Sequence, residues 1–487
     1  MKSFSIDPLR QAFSVLPEQA HNSGNEAIDM RYFYVPSNHA KALHPDNVLV
    51  VGIRGSGKSE WWKELQNPDL RELVSELSPR AELGKIDCYV GFGAPNDKRY
   101  PTKRVFEDLL GKNISAQIIW RTVIAWSLLD TKYFPPKLSS WQDRITYYQT
   151  HFEAIDNQLL DLDNELVTKN RKAVILFDAL ERTSDSWNYL RQILKGLLQV
   201  GLDFRSYRAI RLKIFVRPDM LEDPYVTNFP DSSKLTNNSA KLDWTKIELF
   251  NLLWQYLGNA STGGQEFRDE CARFFNQHWK QYQKFNIWII PEEMQKDEKL
   301  QRNIFHALAG EWMGPNAKRG FPYIWLPNHL GDAHGKVSPR SFLTALSEAA
   351  TANLIKDQKH PLQYQAIKKG VQEASKIRVE EFKEDYPWVH LLIGPLKGLS
   401  VPCPFESIAE KWEEQNTLIT LTDRLRNTDE NTVKLPPSRL DQGPSGVKQD
   451  LVDLGIFEIK RDGRINLPDV YRVGYGLGRR GGVPPVK

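Results

Sequence analysis

A glycine-rich stretch near the N-terminus places the tightest constraint on how this chain folds. Residues 48–62 read VLVVGIRGSGKSEWW, and positions 52–59 fit the pattern G-x-x-x-x-G-K-[ST]. The four apolar residues before the pattern predict a buried strand, and residues 60–65 predict the first turns of a helix. Strand, glycine loop and helix in succession direct backbone N–H groups and a positive helix end at one anion. The stretch therefore predicts a phosphate-binding loop.

Each residue type in this loop has a chemical reason to be there. Glycines let the backbone approach phosphate without an intervening Cβ, Lys58 reaches the β- and γ-phosphates, and the Ser59 hydroxyl ligates Mg²⁺. ATP with Mg²⁺ is the predicted ligand, although these residues alone leave GTP open. The predicted nucleotide-binding residues are Gly52, Arg54, Gly55, Ser56, Gly57, Lys58, Ser59 and Glu60.

A second apolar run, AVILFD at residues 173–178, ends in an acid as a strand buried on both faces does. Asp178 is predicted to ligate Mg²⁺ together with Ser59; the alternative is a strand-end cap. Ala179 follows and cannot orient an attacking water, so Glu181 is the nearest candidate for that role. Arg182 acts either on the γ-phosphate of a neighbouring subunit or in a surface ion pair.

Two further arginines are candidates for reading the γ-phosphate. The strand IRLKIFV at 210–216 is broken by Arg217-Pro-Asp, which places Arg217 at the strand end, as a sensor or in a structural salt bridge. In the segment GKVSPRSF, Ser338 and Pro339 predict a helix start with Arg340 one step inside. An arginine there opposes the helix dipole, so either an outside anion explains it or it is simply exposed.

The order of elements predicts the fold class. Strands over 48–51, 85–93, 173–178, 210–216 and 239–244 alternate with helices over 114–129 and 141–167, which indicates an α/β doubly wound parallel sheet. Beyond residue 244 the pattern becomes mainly helical. The further helices are predicted over 246–257, 266–282, 292–308, 339–352 and within 362–384.

Four regions are predicted from these patterns. Residues 1–46 form an N-terminal strap, 47–245 a P-loop ATPase core, 246–360 a helical lid, and 361–487 a helical, winged-helix-like domain with a basic tail. In the last region a helix ends at Gly455, and EIKRDGRINL predicts a hairpin turning at Asp462-Gly463. Residues 456–487 carry seven Lys and Arg against three acids, a net charge of +4 that equals that of the whole chain.

The remaining composition narrows the protein class. No apolar run approaches the roughly 18 residues that cross a bilayer, and no signal peptide is readable, so a cytoplasmic protein without a membrane anchor is expected. Cys88, Cys271 and Cys403 lie far apart with no C-x-x-C pair. Neither a disulfide framework nor a zinc site is indicated, and buried free thiols are expected.

Four segments together resemble a known clan. GIRGSGKS, VILFDALER, IFVRP and AKLDWTKIELFNLL follow one another in the order phosphate loop, metal-binding acid, sensor arginine and last strand leading into a helical lid. Over residues 47–355 this resembles the STAND and KAP branches of P-loop NTPases, relatives of AAA+ proteins, and especially bacterial ATPases of anti-phage systems.

The resemblance implies several further properties. KAP proteins typically read D-D-L-D-R where this chain reads DALER, so Asp178, Glu181 and Arg182 match and Ala179 departs, which implies slow hydrolysis. SPRSF resembles a lid arginine motif and implies a second sensor role for Arg340. Family members switch between closed and open oligomeric states. An oligomer that acts on an effector protein carried by a separate chain is expected.

Two functions follow from the sequence. The first is an ATP-hydrolysing regulatory oligomer that couples its nucleotide state to a partner effector in bacterial defence. The alternative is an AAA+-type DNA-handling ATPase, an initiator or transposition helper, that contacts duplex DNA through the basic residues 456–487. A small-molecule kinase is disfavoured, because it would leave the helical half and the basic tail without a role.

Overall fold

A computed structural model describes residues 4–16, 29–94, 96–135, 138–352, 359–427, 435–479 and 483–485. These residues form two compact units. Ser37–Asp243 together with Asn427 make up the first, and the described residues of 1–36, 244–426 and 435–487 make up the second. The chain thus begins in the second unit, forms nearly all of the first, and then returns to the second.

The first unit is built on a parallel sheet of five strands. They are β1 (Leu49–Val51), β2 (Ile86–Phe92), β3 (Lys172–Phe177), β4 (Ile210–Val216) and β5 (Ala240–Lys241). Their order across the sheet is β2-β3-β4-β1-β5, and every pairing is parallel. The predicted parallel α/β sheet is confirmed. The apolar residues of β3 are all buried, as expected for a strand covered by helices on both faces.

Helices of the first unit pack against this sheet through large aromatic side chains. Trp120 is fully buried, lies within ring contact of Phe92, Phe106 and Phe177, and donates its indole N–H to the Ile193 carbonyl at 2.9 Å. The helices are Ala40–Leu43, Lys58–Glu64, Pro68–Leu77, Lys103–Gly111, Ala116–Tyr133, Trp141–Thr168, Trp187–Asp203, Pro218–Glu222, Pro224–Thr227 and Ser233–Thr236.

The second unit is mainly helical. Its helices are Ile6–Ser14, Lys246–Asn259, Gly264–Phe275, Glu292–Lys296, Glu298–Ala309, Pro322–Leu330, Pro339–Thr351, Tyr364–Asp385, Pro387–Ile393, Phe405–Glu414, Thr417–Asn427, Gly443–Asp453 and Asp469–Arg472. Two antiparallel hairpins accompany them. One pairs β6 (Lys280–Tyr282) with β7 (Ile287–Ile289), and the other pairs β8 (Glu458–Ile459) with β9 (Ile465–Asn466).

Two predicted helices of this unit are shorter than expected. The helix predicted over 266–282 ends at Phe275, because Asn276 adopts a left-handed conformation (φ 57°), and residues 280–282 form β6 instead. The helix predicted over 292–308 is interrupted at Asp297. The extended backbone of Asp297 lets its carboxylate accept the N–H groups of the next helix start.

The C-terminal part contains the predicted helix and hairpin. The helix Gly443–Asp453 is followed by Gly455 at φ 71°, and the turn between β8 and β9 contains Gly463 at φ 81°. At positive φ the Cβ of other residues clashes with the backbone, and glycine is favoured because it has no Cβ. Among the described residues, no helix is both long enough and apolar enough to span a membrane.

Candidate nucleotide site

The glycine loop leaves β1 at the carboxyl edge of the sheet. The Gly52 N–H donates to the carbonyl of Val216 on β4 at 3.1 Å, which ties the start of the loop to the neighbouring strand. A Cβ at Gly52 would lie 2.3 Å from Ser56 Oγ, and Gly55 and Gly57 have φ values of 77° and 98°. The loop therefore requires glycine for both close approach and backbone conformation.

The other predicted loop residues differ in exposure. Ser56 is buried inside the loop, Arg54 is half-buried at its tip, and Glu60 is exposed in the first turn of the helix Lys58–Glu64. Their roles in nucleotide binding stay predictions.

Lys58 extends its ammonium back over the loop. Its Nζ donates to the carbonyls of Gly52 at 2.7 Å and Ile53 at 3.0 Å. Burial lowers the pKa of Lys58 to about 8, while the nearby carboxylates, Asp178 first among them, oppose that shift. The lysine is thus held as a cation inside the loop by carbonyl contacts that an incoming phosphate could replace.

Asp178 meets the loop from the end of β3. The Ser59 hydroxyl donates to its Oδ2 at 2.6 Å, although 119 positions separate the two residues in sequence. Burial raises the pKa of Asp178 to about 6, with Glu181 adding to the rise and the Ser59 hydrogen bond and Lys58 opposing it. The two predicted metal ligands are therefore in direct contact.

This pair of oxygens fits a Mg²⁺ ion that is shared with phosphate. Mg²⁺ binds in proteins through one or two side-chain oxygens and takes its other ligands from phosphate and water. Within the described parts of the chain, no group of three or more His, Cys, Asp and Glu side chains could hold a metal by itself. A Mg²⁺ ion at Ser59 and Asp178 would take its other ligands from phosphate and water.

A tight turn carries Glu181 beside this pair. Ala179 has φ 54°, an unusual conformation for a residue with a Cβ, and the 3-10 helix Leu180–Arg182 follows it. Glu181 is half-buried and lies close enough to shift the pKa values of both Asp178 and Lys58. Arg182 points to solvent.

Arg217 lies at the same edge, directly after the β4 residue that bonds to Gly52. Its side chain is buried, and Nη2 donates to Asp219 Oδ2 at 2.9 Å. Both residues contribute to the electrostatic environment of Lys58, with Arg217 lowering and Asp219 raising its pKa. The structure thus places Lys58, Asp178, Glu181 and Arg217 at one edge of the sheet.

Arg340 belongs to the second unit. It lies in the first turn of Pro339–Thr351, where Ser338 occupies the N-cap position without a capping side-chain bond. Arg340 Nη1 donates to Glu381 Oε1 at 2.6 Å. In this structure a carboxylate of the same chain therefore pairs with the arginine, and contact with an outside anion stays a prediction. A sensor role for Arg340 stays a prediction.

Two residues that sequence reasoning missed support the loop. The buried His39 accepts the indole N–H of Trp61, on the helix that follows the loop, at Nδ1 (3.1 Å), and its Nε2 lies 3.3 Å from the Asp243 carbonyl. Burial lowers the pKa of His39 to about 4. Nothing in the sequence around His39 signals this contact.

Lys213 is the second missed residue. It is fully buried on β4, and its Nζ donates to the carbonyls of Ala42, His44 and Asn47 at 2.7, 3.0 and 3.0 Å. These carbonyls lie in the helix Ala40–Leu43 and in the turn that leads from it into β1, so Lys213 stabilises the segment before the loop. A lysine inside the apolar run IRLKIFV is the signal that could have found it.

Comparisons with known proteins return only distant similarities. No protein-family model matches the chain, and none of the curated proteins matches it. Among solved structures, the Orc1 protein of Aeropyrum pernix in complex with DNA matches at 14% identity and TM-score 0.33, over 96% of this chain and 94% of that one.

Two more solved structures give similar values. Cdc6p from Pyrobaculum aerophilum matches at 13% identity and TM-score 0.30, over 91% of this chain and 94% of that one. The Orc2 protein of Aeropyrum pernix, in its ADPNP–ADP complexes, matches at 13% and 0.30, over 96% and 94%. Likenesses this distant assign neither a function nor a ligand to the chain.

The basic C-terminal segment is less available than its net charge implies. Arg472 is fully buried, with Nε 2.7 Å from Asp469 Oδ1, and its Nη groups donate to the carbonyls of Leu477 and Val483. Arg479 contacts the same Asp469 at 3.2 Å. These arginines hold the C-terminal segment together.

Nearer the hairpin, cations pair with acids two positions away. Lys460 contacts Glu458, and Arg464 contacts Asp462, each at 2.7 Å. Arg461 is exposed at the hairpin turn. The predicted basic residues at 480 and 487 lie outside the described residues.

Proposed function

We propose that this chain binds ATP with Mg²⁺ at the carboxyl edge of its parallel sheet and hydrolyses it. The observation that carries the proposal is the direct contact of Ser59 with Asp178 beside Lys58. Three residues from a loop and a distant strand end meet where strand ends of open α/β sheets bind ligands. Their types match the needs of a metal-bound triphosphate.

Each side chain has a defined task in this proposal. Lys58 would exchange its loop carbonyls for phosphate oxygens, and Ser59 with Asp178 would ligate Mg²⁺. When bound, Mg²⁺ neutralises charge on the phosphates. Glu181 would accept a hydrogen bond from the attacking water and orient it, while Arg217 would contact the γ-phosphate.

Hydrolysis by this site is expected to be slow. The position after Asp178 carries Ala179, whose methyl group cannot hold a water or accept a proton. Glu181 is then the only acid of the segment left for that role, and it lies on the far side of a left-handed turn. Slow turnover suits a switch that stays in its ATP state until it is triggered.

The ATPase proposal is tested by steady-state phosphate release. Wild type should release phosphate in the presence of Mg²⁺ and ATP. Glu181→Gln should bind ATP and lose roughly a hundredfold in rate, and Lys58→Ala should lose binding. Lys63→Ala, on the same helix, serves as the matched control and should behave as wild type. A normal rate for Glu181→Gln would assign the water to another residue.

We further propose that ATP promotes self-association, with Arg182 reaching the γ-phosphate of a neighbouring subunit. The exposure of Arg182 next to Glu181 is the feature that supports this. Solution mass measured without nucleotide, with ADP and with a non-hydrolysable ATP analogue tests it. An unchanged monomer in all three conditions would refute it. An effector on another chain and a role in anti-phage defence stay predictions without a structural feature of their own.

Duplex DNA is a second candidate partner, through the C-terminal helix and hairpin. The supporting feature is the hairpin turn, where Arg461 and Arg464 are exposed. A two-stranded wing with cations at its tip is a shape that contacts phosphates. The DNA-binding hypothesis has more structural support than the effector hypothesis, because Arg461 and Arg464 are exposed at the surface.

The salt dependence of binding to duplex DNA tests this hypothesis. Binding to a short duplex should weaken steeply as salt rises, and Arg461→Gln with Arg464→Gln should lower the logarithmic salt slope by about 2. Lys411→Gln removes a partly exposed, ion-paired cation of the same unit; it is the control and should leave the slope unchanged. No binding at low salt would assign the hairpin to a protein partner instead.

A further inference from the structure

An ion pair lies next to the start of the phosphate loop. Because Gly52 donates to the Val216 carbonyl, the next residue, Arg217, emerges beside the loop. Its guanidinium contacts Asp219 at 2.9 Å, and Pro218 between them begins the helix Pro218–Glu222. The side chains are only 7% and 15% exposed. A charged pair so shielded from water interacts strongly with any further charge nearby.

Other pairs of Asp and Arg two positions apart behave differently. Asp29 with Arg31, Asp97 with Arg99, and Asp462 with Arg464 are all surface pairs in which the acid comes first and accepts the arginine backbone N–H as well. In Arg217 and Asp219 the order is reversed. The surface pairs are local turns, whereas this pair adds a carboxylate to an edge that already contains two.

Asp219 has no part in the phosphate chemistry described above, and its charge is unfavourable for binding an anion. It raises the pKa of Lys58, as Asp178 and Glu181 do, so its field reaches the loop. A γ-phosphate that contacts Arg217 must compete with Asp219 for the same guanidinium. The β-phosphate, bound by the loop amides and Lys58, meets less of this competition.

We propose that Asp219 is a positioning residue that sets how strongly the site prefers ATP over ADP, by holding Arg217 in an ion pair that the γ-phosphate must displace. This rests on the proposed nucleotide site. Asp219 lowers the affinity of the site for ATP more than its affinity for ADP. The site is therefore not filled with ATP before the switch is triggered. Removal of Asp219 therefore strengthens ATP binding selectively.

Calorimetric titration of the protein with ATP and with ADP, each in the presence of Mg²⁺, tests this proposal. Asp219→Asn should raise ATP affinity on the order of tenfold and ADP affinity clearly less. Glu222→Gln removes a carboxylate from the same helix and should change neither. Combining Asp219→Asn with Arg217→Gln should abolish the gain, since the gain acts through the guanidinium.

Four results would overturn the proposal. A loss of ATP affinity in Asp219→Asn would show that Asp219 only orients Arg217, and equal gains for both nucleotides would show a general charge effect. Should Asp219→Asn fail to fold, Asp219→Glu keeps the charge and should retain the wild-type ratio; a tenfold change there contradicts the competition. If wild type binds neither nucleotide, the proposed function itself fails. If wild type binds ATP and Asp219→Asn binds it with the same affinity, only this inference is overturned.

Discussion

The carboxyl edge of the parallel sheet and the C-terminal hairpin both collect charged residues, but they satisfy them in opposite ways. At the sheet edge, Lys58 contacts backbone carbonyls and Asp178 contacts a hydroxyl, so these two charges, unlike the Arg217–Asp219 pair beside them, are held by neutral groups. At the hairpin, Lys460 and Arg464 pair with acids two positions away. The carbonyl and hydroxyl contacts of the first arrangement can be exchanged for phosphate and metal, whereas each paired cation of the second must leave an acid before it contacts a phosphate.

The difference shows that net charge along a sequence is a weak guide to a binding surface. The sheet edge has no excess of positive charge, yet burial makes its few charges responsive to a ligand. The tail carries the whole net charge of the chain, yet its described arginines, except at the hairpin turn, serve its own packing. Burial and the type of partner decide what a charged group can bind.

The largest effect on the free energy of unfolding is expected at Arg472, a buried cation of the C-terminal segment. Arg472→Gln leaves Asp469 buried without its main partner and should lower the free energy of unfolding by about 3 to 5 kcal/mol. Denaturant unfolding followed by circular dichroism measures it. Arg461→Gln, with an exposed side chain, should leave the midpoint unchanged. Equal effects of the two substitutions would break the distinction between packing and surface cations.

A pH effect is expected from His39 at the sheet edge. Its pKa of about 4 lies below the ordinary value of about 6.5, so the unfolded chain binds more protons between these limits. The free energy of unfolding should therefore fall by about 3 kcal/mol as pH drops from 6.5 to 4, with no contribution above 6.5. His39→Gln should remove this part of the slope in denaturant titrations. An unchanged slope in that variant would show that His39 already carries a proton.

Binding of Mg²⁺ and ATP should follow the shifted pKa values of Lys58 in the loop and of Asp178 at the end of β3. Below about pH 6 Asp178 takes up a proton and loses its metal ligation, and above about pH 8 Lys58 loses its charge. Affinity should then decline by about tenfold per pH unit on each side. Calorimetry from pH 5 to 9 measures this, and Asp178→Asn should flatten the acidic side. A flat profile in wild type would contradict the assigned charges.

The smallest effect is expected at the surface pair of Asp462 and Arg464. Arg464→Gln should leave the thermal midpoint unchanged, because both side chains are about half exposed and water replaces the contact. Differential scanning calorimetry checks this. A clear loss of stability would mean that the hairpin pair is structural, as the buried Arg472 pair is, and would weaken the case for a DNA-contacting wing.

The sequence predicts the sheet edge well because its signals are local. The glycine pattern requires positive φ values, and β3 and β4 are apolar runs that end in Asp178 and Arg217; all of these lie where parallel strands must converge. The helix predicted over 141–167 is observed over Trp141–Thr168, and Ser140 caps its first turn.

What the sequence does not reveal depends on contacts between distant segments. His39 reaches Trp61 and Lys213 reaches the turn before β1 only after the sheet has formed, and no spacing rule connects these positions. The end of a helix at Phe275 depends on one asparagine adopting a left-handed conformation. The ion pair of Arg340 with Glu381 likewise joins positions 41 apart, and no sequence pattern connects them.

The most direct test of the account is calorimetric titration of ATP with Mg²⁺ into wild type, Lys58→Ala and Lys63→Ala. The two lysines share one helix, and only Lys58 contacts the loop carbonyls. We expect saturable binding in wild type and Lys63→Ala and none in Lys58→Ala, and omission of Mg²⁺ should weaken binding in the first two. Equal affinity in all three proteins would contradict the assignment of a phosphate site to this loop.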